Sequence, residues 1–126
     1  MQRGYQVIGT TRNIQHASLT GLTYLGIQDK ITLTECNLLD RVALKRLIID
    51  SKPTEIYHLA AQSSVARSFE DDFATFENNV LSTYAMLAAF REAAPRARFY
   101  FAATSEMYGL AAAPQNEETR FDPVSP

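Results

Sequence analysis

Apolar positions fall along this chain in short continuous runs separated by longer amphipathic stretches, and this alternation predicts strands and helices in turn. Tyr5-Gln6-Val7-Ile8-Gly9-Thr10-Thr11 predicts a strand, entered through Gly4 as the stop of a helix tail at residues 1–3. Residues 13–26 are polar apart from Leu19, Leu22 and Leu25 at threefold spacing, which predicts a loop holding one short helical turn. A strand is expected over residues 30–36. A helix then follows from an Asp40 N-cap over residues 41–51, with Val42, Leu44, Leu47 and Ile48 as its apolar face and Lys52-Pro53 as its stop.

Residues 55–61 predict the next strand, and residues 73–94 the longest helix, entered through Asp71 and Asp72 at its positive end and closed by Pro95. Phe73, Phe76, Val80, Tyr84 and Leu87 step by three or four and are expected to face the sheet. Leu81, Ala85, Ala88 and Ala89 widen that band, which predicts a second contact with another helix or another subunit. Arg98-Phe99-Tyr100-Phe101-Ala102-Ala103 then predicts a strand buried on both faces. Strands and helices in alternation, with crossovers long enough to be right-handed, give an α/β chain with a doubly wound parallel sheet.

In such a sheet, ligands bind at the carboxyl ends of the strands. Each predicted strand here ends in residues with something to offer a ligand. Arg12 follows the first strand of this chain; in a dinucleotide fold the residue after the second strand meets the adenosine ribose, and an Arg there suits the 2′-phosphate of NADP, or is a solvated charge. Ala60 and Ala61 let a ligand approach the backbone closely, and Gln62, Ser63 and Ser64 bring hydrogen-bonding side chains. Thr104, Ser105 and Glu106 end the last strand. There a carboxylate can serve as a general base and a hydroxyl can hold a substrate oxygen, or the three simply cap the next helical turn. His58, inside its strand with no metal-ligand spacing around it, is expected to pack in the core, and no metal site is expected.

Composition narrows the function classes. A length of 126 residues makes one domain at most, and a net charge of −2 gives no reason to expect nucleic acid or a membrane surface as partner. No apolar run approaches the length needed to span a bilayer. The single cysteine, Cys36, excludes an intramolecular disulfide and fits a cytoplasmic protein.

Several segments together resemble the extended short-chain dehydrogenase/reductase family. They are Gly-Tyr-Gln-Val-Ile-Gly-Thr-Thr-Arg at 4–12, Asn-Leu-Leu-Asp at 37–40, His-Leu-Ala-Ala-Gln-Ser-Ser-Val at 58–65, Asn-Val-Leu-Ser-Thr at 79–83 and Thr-Ser-Glu-Met-Tyr-Gly at 104–109. The last of these, with Pro114-Gln115, Glu117 and the Phe121 to Pro126 run, is similar to the GDP-mannose 4,6-dehydratases within that family. The resemblance implies a nucleotide-sugar lyase that converts GDP-mannose to GDP-4-keto-6-deoxy-mannose with NADP, acting on a GDP-sugar in the cytoplasm as a homo-oligomer. It implies cofactor contacts from Arg12, Asn37, Leu38, Leu59, Ala60, Ala61, Gln62 and Ser63, and substrate contacts from Ser63, Ser64, Thr104 and Glu106. It makes Glu106 the catalytic base toward C5 of the hexose and Thr104 the catalytic hydroxyl near O4. Asn37 stands where the family has Asp, keeping an acceptor without the charge. Ser82 stands where it usually has Gly, which bears on helix packing there.

Two family motifs have no counterpart in the chain. No three of Gly4, Gly9, Gly21, Gly26 and Gly109 have the Gly-x-x-Gly-x-x-Gly spacing of the phosphate loop, and none of the six tyrosines is followed at the fourth place by Lys. The expectation is therefore an internal fragment, residues 1–126, of an NADP-binding Rossmann domain, a partial sheet lacking its first strand and Gly-rich loop, with the substrate domain absent. Alone it is expected to be inactive and poorly folded. The alternatives are a nucleotide-sugar epimerase, a 4-keto-6-deoxy-sugar reductase, or a binding module without activity.

Overall fold

The computed structural model describes residues 3–126; Met1 and Gln2, the start of the expected helix tail, lie outside the described residues. Gly4 follows with φ of 76°, the left-handed conformation that a helix stop favours. In chain order the elements are β1 (Val7–Thr11), α1 (Thr20–Tyr24), β2 (Ile31–Glu35), α2 (Arg41–Ser51), β3 (Glu55–His58), α3 (Val65–Glu70), α4 (Asp72–Phe76), a π turn (Glu77–Leu81), α5 (Ser82–Ala93) and β4 (Arg98–Phe101). A four-residue 3₁₀ turn, Ser105–Tyr108, follows β4.

The strands form two parallel pairs. β1 pairs with β2 from Val7 opposite Ile31 to Thr11 opposite Glu35, and β3 pairs with β4 from Glu55 opposite Arg98 to His58 opposite Phe101. β1 and β3 do not pair with each other, so each of the two sheets has an open inner edge. In a Rossmann sheet of order 3-2-1-4-5, these pairs correspond to strands 3-2 and 4-5, on either side of the central position. Tyr5 Oη, just ahead of β1, donates to Glu55 Oε1 at the start of β3 across 3.1 Å, a side-chain tie between the two halves at their amino end. Tyr57 Oη donates to the other oxygen at 2.9 Å, and Arg98 also bonds the carboxylate. These partners, Tyr57 and then Tyr5 foremost, hold the Glu55 carboxyl below the usual carboxylate range.

Helix α2 forms where the pattern places it. Asp40 accepts from the N–H groups of Val42 and Ala43 at 3.1 and 3.0 Å, and Lys52 ends the helix in a left-handed conformation ahead of Pro53. Leu44 and Ile48 are buried, Leu47 packs beside them, and Val42 turns out to solvent.

The long helix differs from its expected form. α4, the π turn and α5 follow one another, and α3, a turn and a half with too few residues to show a period, has no counterpart in the pattern. The expected sheet-facing residues Phe73, Phe76, Val80, Tyr84 and Leu87 are all exposed. The buried face is instead Ser82, Ala85, Met86 and Ala89. Small residues win because α5 packs against α2, and the core is formed by Ala85, Met86 and Ala89 with Leu44, Ile48 and Cys36. The contact with another helix is thus present, made by the alanines. Ser82, at the position the family gives to Gly, is buried and donates its hydroxyl to the Asn78 carbonyl, so it fits the packing.

Expected burial of the last strand on both faces is also corrected. Phe99 is half-buried against the core and Phe90, whereas Tyr100 and Phe101 are exposed. Tyr100 lies 5.8 Å from Tyr57 on the uncovered face of the β3–β4 pair.

Candidate functional site

Parallel pairing puts the carboxyl ends of β3 and β4 at one edge, with His58 opposite Phe101. The two segments that leave this edge are residues 59–64 and 102–106. Leu59, Ala60 and Ala61 are exposed after only four residues of strand, so their backbone is open to a ligand. Apolar character extended the expected strand through Ala61; the observed strand ends at His58, whose carbonyl accepts a last bond from the Ala102 N–H at 3.1 Å, and residues 59–64 carry no further ladder.

The segment that follows is held by side chains. The Gln62 N–H donates to Asn79 Oδ1 at 2.7 Å, and Asn79 Nδ2 donates back to the Gln62 carbonyl at 3.0 Å. Gln62 Nε2 donates to the Ser64 carbonyl at 2.9 Å, and Gln62 Oε1 accepts from the Ser64 N–H at 2.7 Å. Gln62 Nε2 also donates to Thr75 Oγ1 of α4 at 3.4 Å, so the Gln62 amide is spent within the protein, and a ligand would meet the exposed hydroxyl of Ser63 instead. Ser64 caps α3, its Oγ accepting from the Arg67 N–H at 3.4 Å. Both readings of the last strand's end are compatible. Thr104 Oγ1 accepts from the Glu106 N–H at 3.1 Å and caps the 3₁₀ turn, yet the hydroxyl keeps its hydrogen to donate to a substrate oxygen. Glu106 sits in that turn with its side chain exposed.

The turn is pinned from beyond. Gly109 has φ of 44°, and a Cβ there would collide with the Asp122 carbonyl, so the chain after it folds back directly over its backbone. Asp122 N–H donates to the Met107 carbonyl at 3.0 Å, and Tyr108 meets Phe121 edge to face. Thr104 and Glu106 line neither of two hollows of about 540 Å³, one between α2 and α5 and one beside α4; the candidate groups stand on an open edge.

On the other sheet, the Cys36 N–H bonds the Thr11 carbonyl at 2.8 Å and draws the ends of β1 and β2 together. Asn37 Oδ1 accepts from the Leu39 N–H at 3.1 Å and shapes a turn, while Leu38 is half-buried against the core. Burial, with Asp40 nearby, raises the Cys36 thiol above its ordinary value. Arg12 is exposed, its Nη1 3.5 Å from Asn78 Oδ1. The linear sequence has no acid next to Arg12, but the register sets Glu35 opposite Thr11, where its carboxylate accepts from the Ile14 N–H at 3.1 Å.

The pair Asn78 and Asn79 thus reaches both sheets, Asn78 toward the end of β1 and Asn79 toward the end of β3. Neither is among the expected site residues. A signal existed, since Asn is a poor helix former and two in mid-helix cost stability unless their side chains have work. Among the described residues, no group of three or more His, Cys, Asp or Glu could hold a metal ion, and no helix is long and apolar enough to cross a membrane.

Residues 1–126 match the sequence profile of the family described as GDP-mannose 4,6 dehydratase. The chain belongs to the GDP-mannose 4,6-dehydratase family. It is 39% identical over 131 residues to a GDP-mannose 4,6-dehydratase of Sordaria araneosa, covering 100% of this chain and 23% of that one. A GDP-mannose 4,6-dehydratase of Sinorhizobium fredii is 46% identical over 93 residues, which is 71% of this chain and 26% of the relative. Among solved structures, the UDP-glucose 4-epimerase of Thermus thermophilus in complex with NAD superposes with a TM-score of 0.81 at 25% identity, over 98% of this chain and 39% of that one. The chain therefore spans about a quarter of the length of these two GDP-mannose 4,6-dehydratases. The resemblance read from the sequence is borne out, as is the partial Rossmann-type sheet: the two parallel strand pairs belong to a chain that superposes over 98% of its length on the epimerase.

Proposed function

We propose that this member of the GDP-mannose 4,6-dehydratase family is a segment of the NADP-binding Rossmann domain of a longer nucleotide-sugar dehydratase, and that the 126-residue chain by itself is inactive. The observation that carries the reading is that Arg12, residues 59–63 and the Thr104–Glu106 group all follow the carboxyl ends of parallel strands, the edge where an α/β sheet binds its ligands.

The residues present fit a nicotinamide dinucleotide. Exposed Leu59, Ala60 and Ala61 admit its backbone, with Ser63 beside them, and Arg12 stands where a 2′-phosphate would be met. Asn37 and Leu38 flank the adenine end of the same edge. When bound, the nicotinamide supplies hydride acceptance from C4 of the hexose and its return at C6. The chain's own contribution is acid–base chemistry. The Thr104 hydroxyl donates to the sugar near O4, Ser63 and Ser64 hold the nucleotide sugar, and the Glu106 carboxylate takes the C5 proton and passes it to the C6 hydroxyl, which leaves as water; the O4 proton goes to the tyrosine of the family's Tyr-x-x-x-Lys pair, which has no counterpart in this chain. Glu106 directly after Thr104-Ser105 supports a dehydratase over an epimerase or reductase of the same fold, neither of which needs a carboxylate at C5, and over a module without activity. The exposed apolar stripe of Phe73, Phe76, Val80, Tyr84 and Leu87 supports a homo-oligomer, and the lone buried Cys36 suits the cytoplasm.

Cofactor choice tests this reading. In the full-length enzyme, Arg12→Ala is expected to weaken NADP by about 1 to 3 kcal/mol, the scale of a lost charge-assisted contact, and to leave NAD nearly unchanged. Titration of both cofactors against both proteins checks it. Equal affinity of the unsubstituted enzyme for NAD and NADP would count against Arg12 as the selector.

A further inference from the structure

Asn79 holds both backbone groups of one residue, Gln62, the N–H at 2.7 Å and the carbonyl at 3.0 Å. Such a two-point grip fixes where a peptide unit sits and how it is turned, because sliding or rotating the loop breaks one of the two bonds. The grip has its own support. Asn79 lies in the π turn Glu77–Leu81, a ladder shift that is rare in helices and clusters at functional sites. One turn on, Thr83 Oγ1 donates to the Asn79 carbonyl at 2.6 Å and bonds His58 Nε2 at 3.0 Å, and His58 is the last residue of β3. A circuit of hydrogen bonds thus runs from the end of β3 through the Thr83 hydroxyl to the Asn79 carbonyl, and from the Asn79 side chain to the Gln62 backbone. Between His58 and Gln62 lie only Leu59, Ala60 and Ala61, whose exposed backbone is anchored at both ends by this circuit.

We propose that Asn79 is a positioning residue for the dinucleotide, fixing residues 59–63 at the width and orientation that cofactor binding requires. The inference rests on the reading that this segment lies along the cofactor, and it gives Asn79 a role that acts through Gln62. A loop held before binding loses less freedom on binding, so releasing it weakens affinity without removing any contact to the ligand.

The test compares wild type, Asn79→Ala and Asn79→Asp in the full-length enzyme by amide hydrogen exchange and by NADPH titration. Asn79→Ala is expected to speed exchange at Gln62 and Ser64 by about 10-fold while the amides of α5 keep their protection, and to raise the NADPH Kd by about 10-fold, the scale of one or two net hydrogen bonds. Asn79→Asp keeps the acceptor for the Gln62 N–H and loses the donor to its carbonyl. It is expected to fall between the two and serves if the alanine variant does not fold. Unchanged exchange at Gln62 overturns the proposal, as does faster exchange with an unchanged Kd, or loss of protection spread evenly through α5. If the wild type binds no dinucleotide, the reading beneath the proposal fails separately, and exchange at Gln62 alone then decides whether the clamp exists.

Discussion

Glu106→Gln in the full-length enzyme is expected to lower dehydratase turnover by about 10²- to 10⁴-fold, the range of a lost general base, while NADPH binds as before. The structure makes this substitution clean. Glu106 holds its turn through its backbone N–H, bonded to Thr104, while its carboxylate is exposed on the sheet edge, so an isosteric amide leaves the fold alone. Gln cannot accept a proton at neutral pH, and exchange of the C5 hydrogen with solvent deuterium should be lost along with turnover. Deuterium incorporation at C5 undiminished in the variant would remove Glu106 from the role.

The 126-residue chain alone is expected to show no sharp thermal transition and to associate as its concentration rises. Two open strand edges, those of β1 and β3, each carry unpaired N–H and carbonyl groups that recruit other strands. Among the described residues the buried apolar core is only Cys36, Leu44, Ile48, Ala85, Met86 and Ala89, while Tyr57, Leu59, Phe69, Phe73, Tyr84, Tyr100 and Phe121 are each more than half exposed. At roughly 25 cal/mol per Å², that wetted apolar surface forgoes stabilisation comparable with a whole domain's 5 to 15 kcal/mol. Calorimetry and sedimentation velocity check this together. A cooperative two-state transition of a stable monomer would show that the α2–α5 contact suffices by itself.

Much of the fold was legible because local chemistry and long-range packing agree along most of the chain. Asp40 caps α2, Lys52-Pro53 stops it, and the four strands begin within two residues of where the apolar runs place them. The faces of the long helix are not legible in the same way, because periodicity marks apolar stripes without ranking them. Phe73, Phe76, Val80, Tyr84 and Leu87 form the bulkier stripe, but the close approach of α5 to α2 selects Ala85 and Ala89. At the site, a motif could point to Thr104, Glu106 and Arg12, yet it could not say that the Gln62 amide is consumed by Ser64, nor that Glu35 reaches the Arg12 loop. Those depend on a loop closing on itself and on strand register, neither of which leaves a period in the sequence. Two asparagines in mid-helix mark Asn79 as unusual, but its partner Gln62 lies 17 residues away and is named only by the folded chain.

The contact between His58 and Thr83 also settles where a proton resides. A threonine hydroxyl has one hydrogen, and Thr83 gives it to the Asn79 carbonyl, which can only accept. Its bond with His58 Nε2 must therefore run the other way, with Nε2–H as donor, which fixes the neutral ring as the Nε2–H tautomer. Acid can add a proton only at Nδ1, on a ring that is buried and stacked 5.7 Å from Phe101. Burial accordingly pulls the His58 pKa below its ordinary value. Because the unfolded chain takes up this proton at about pH 6.5 and the folded one only at lower pH, His58 contributes stability above that point and forfeits it progressively as pH falls. The urea midpoint of the full-length enzyme should drop between neutral pH and pH 5, and His58→Gln should flatten that part of the curve.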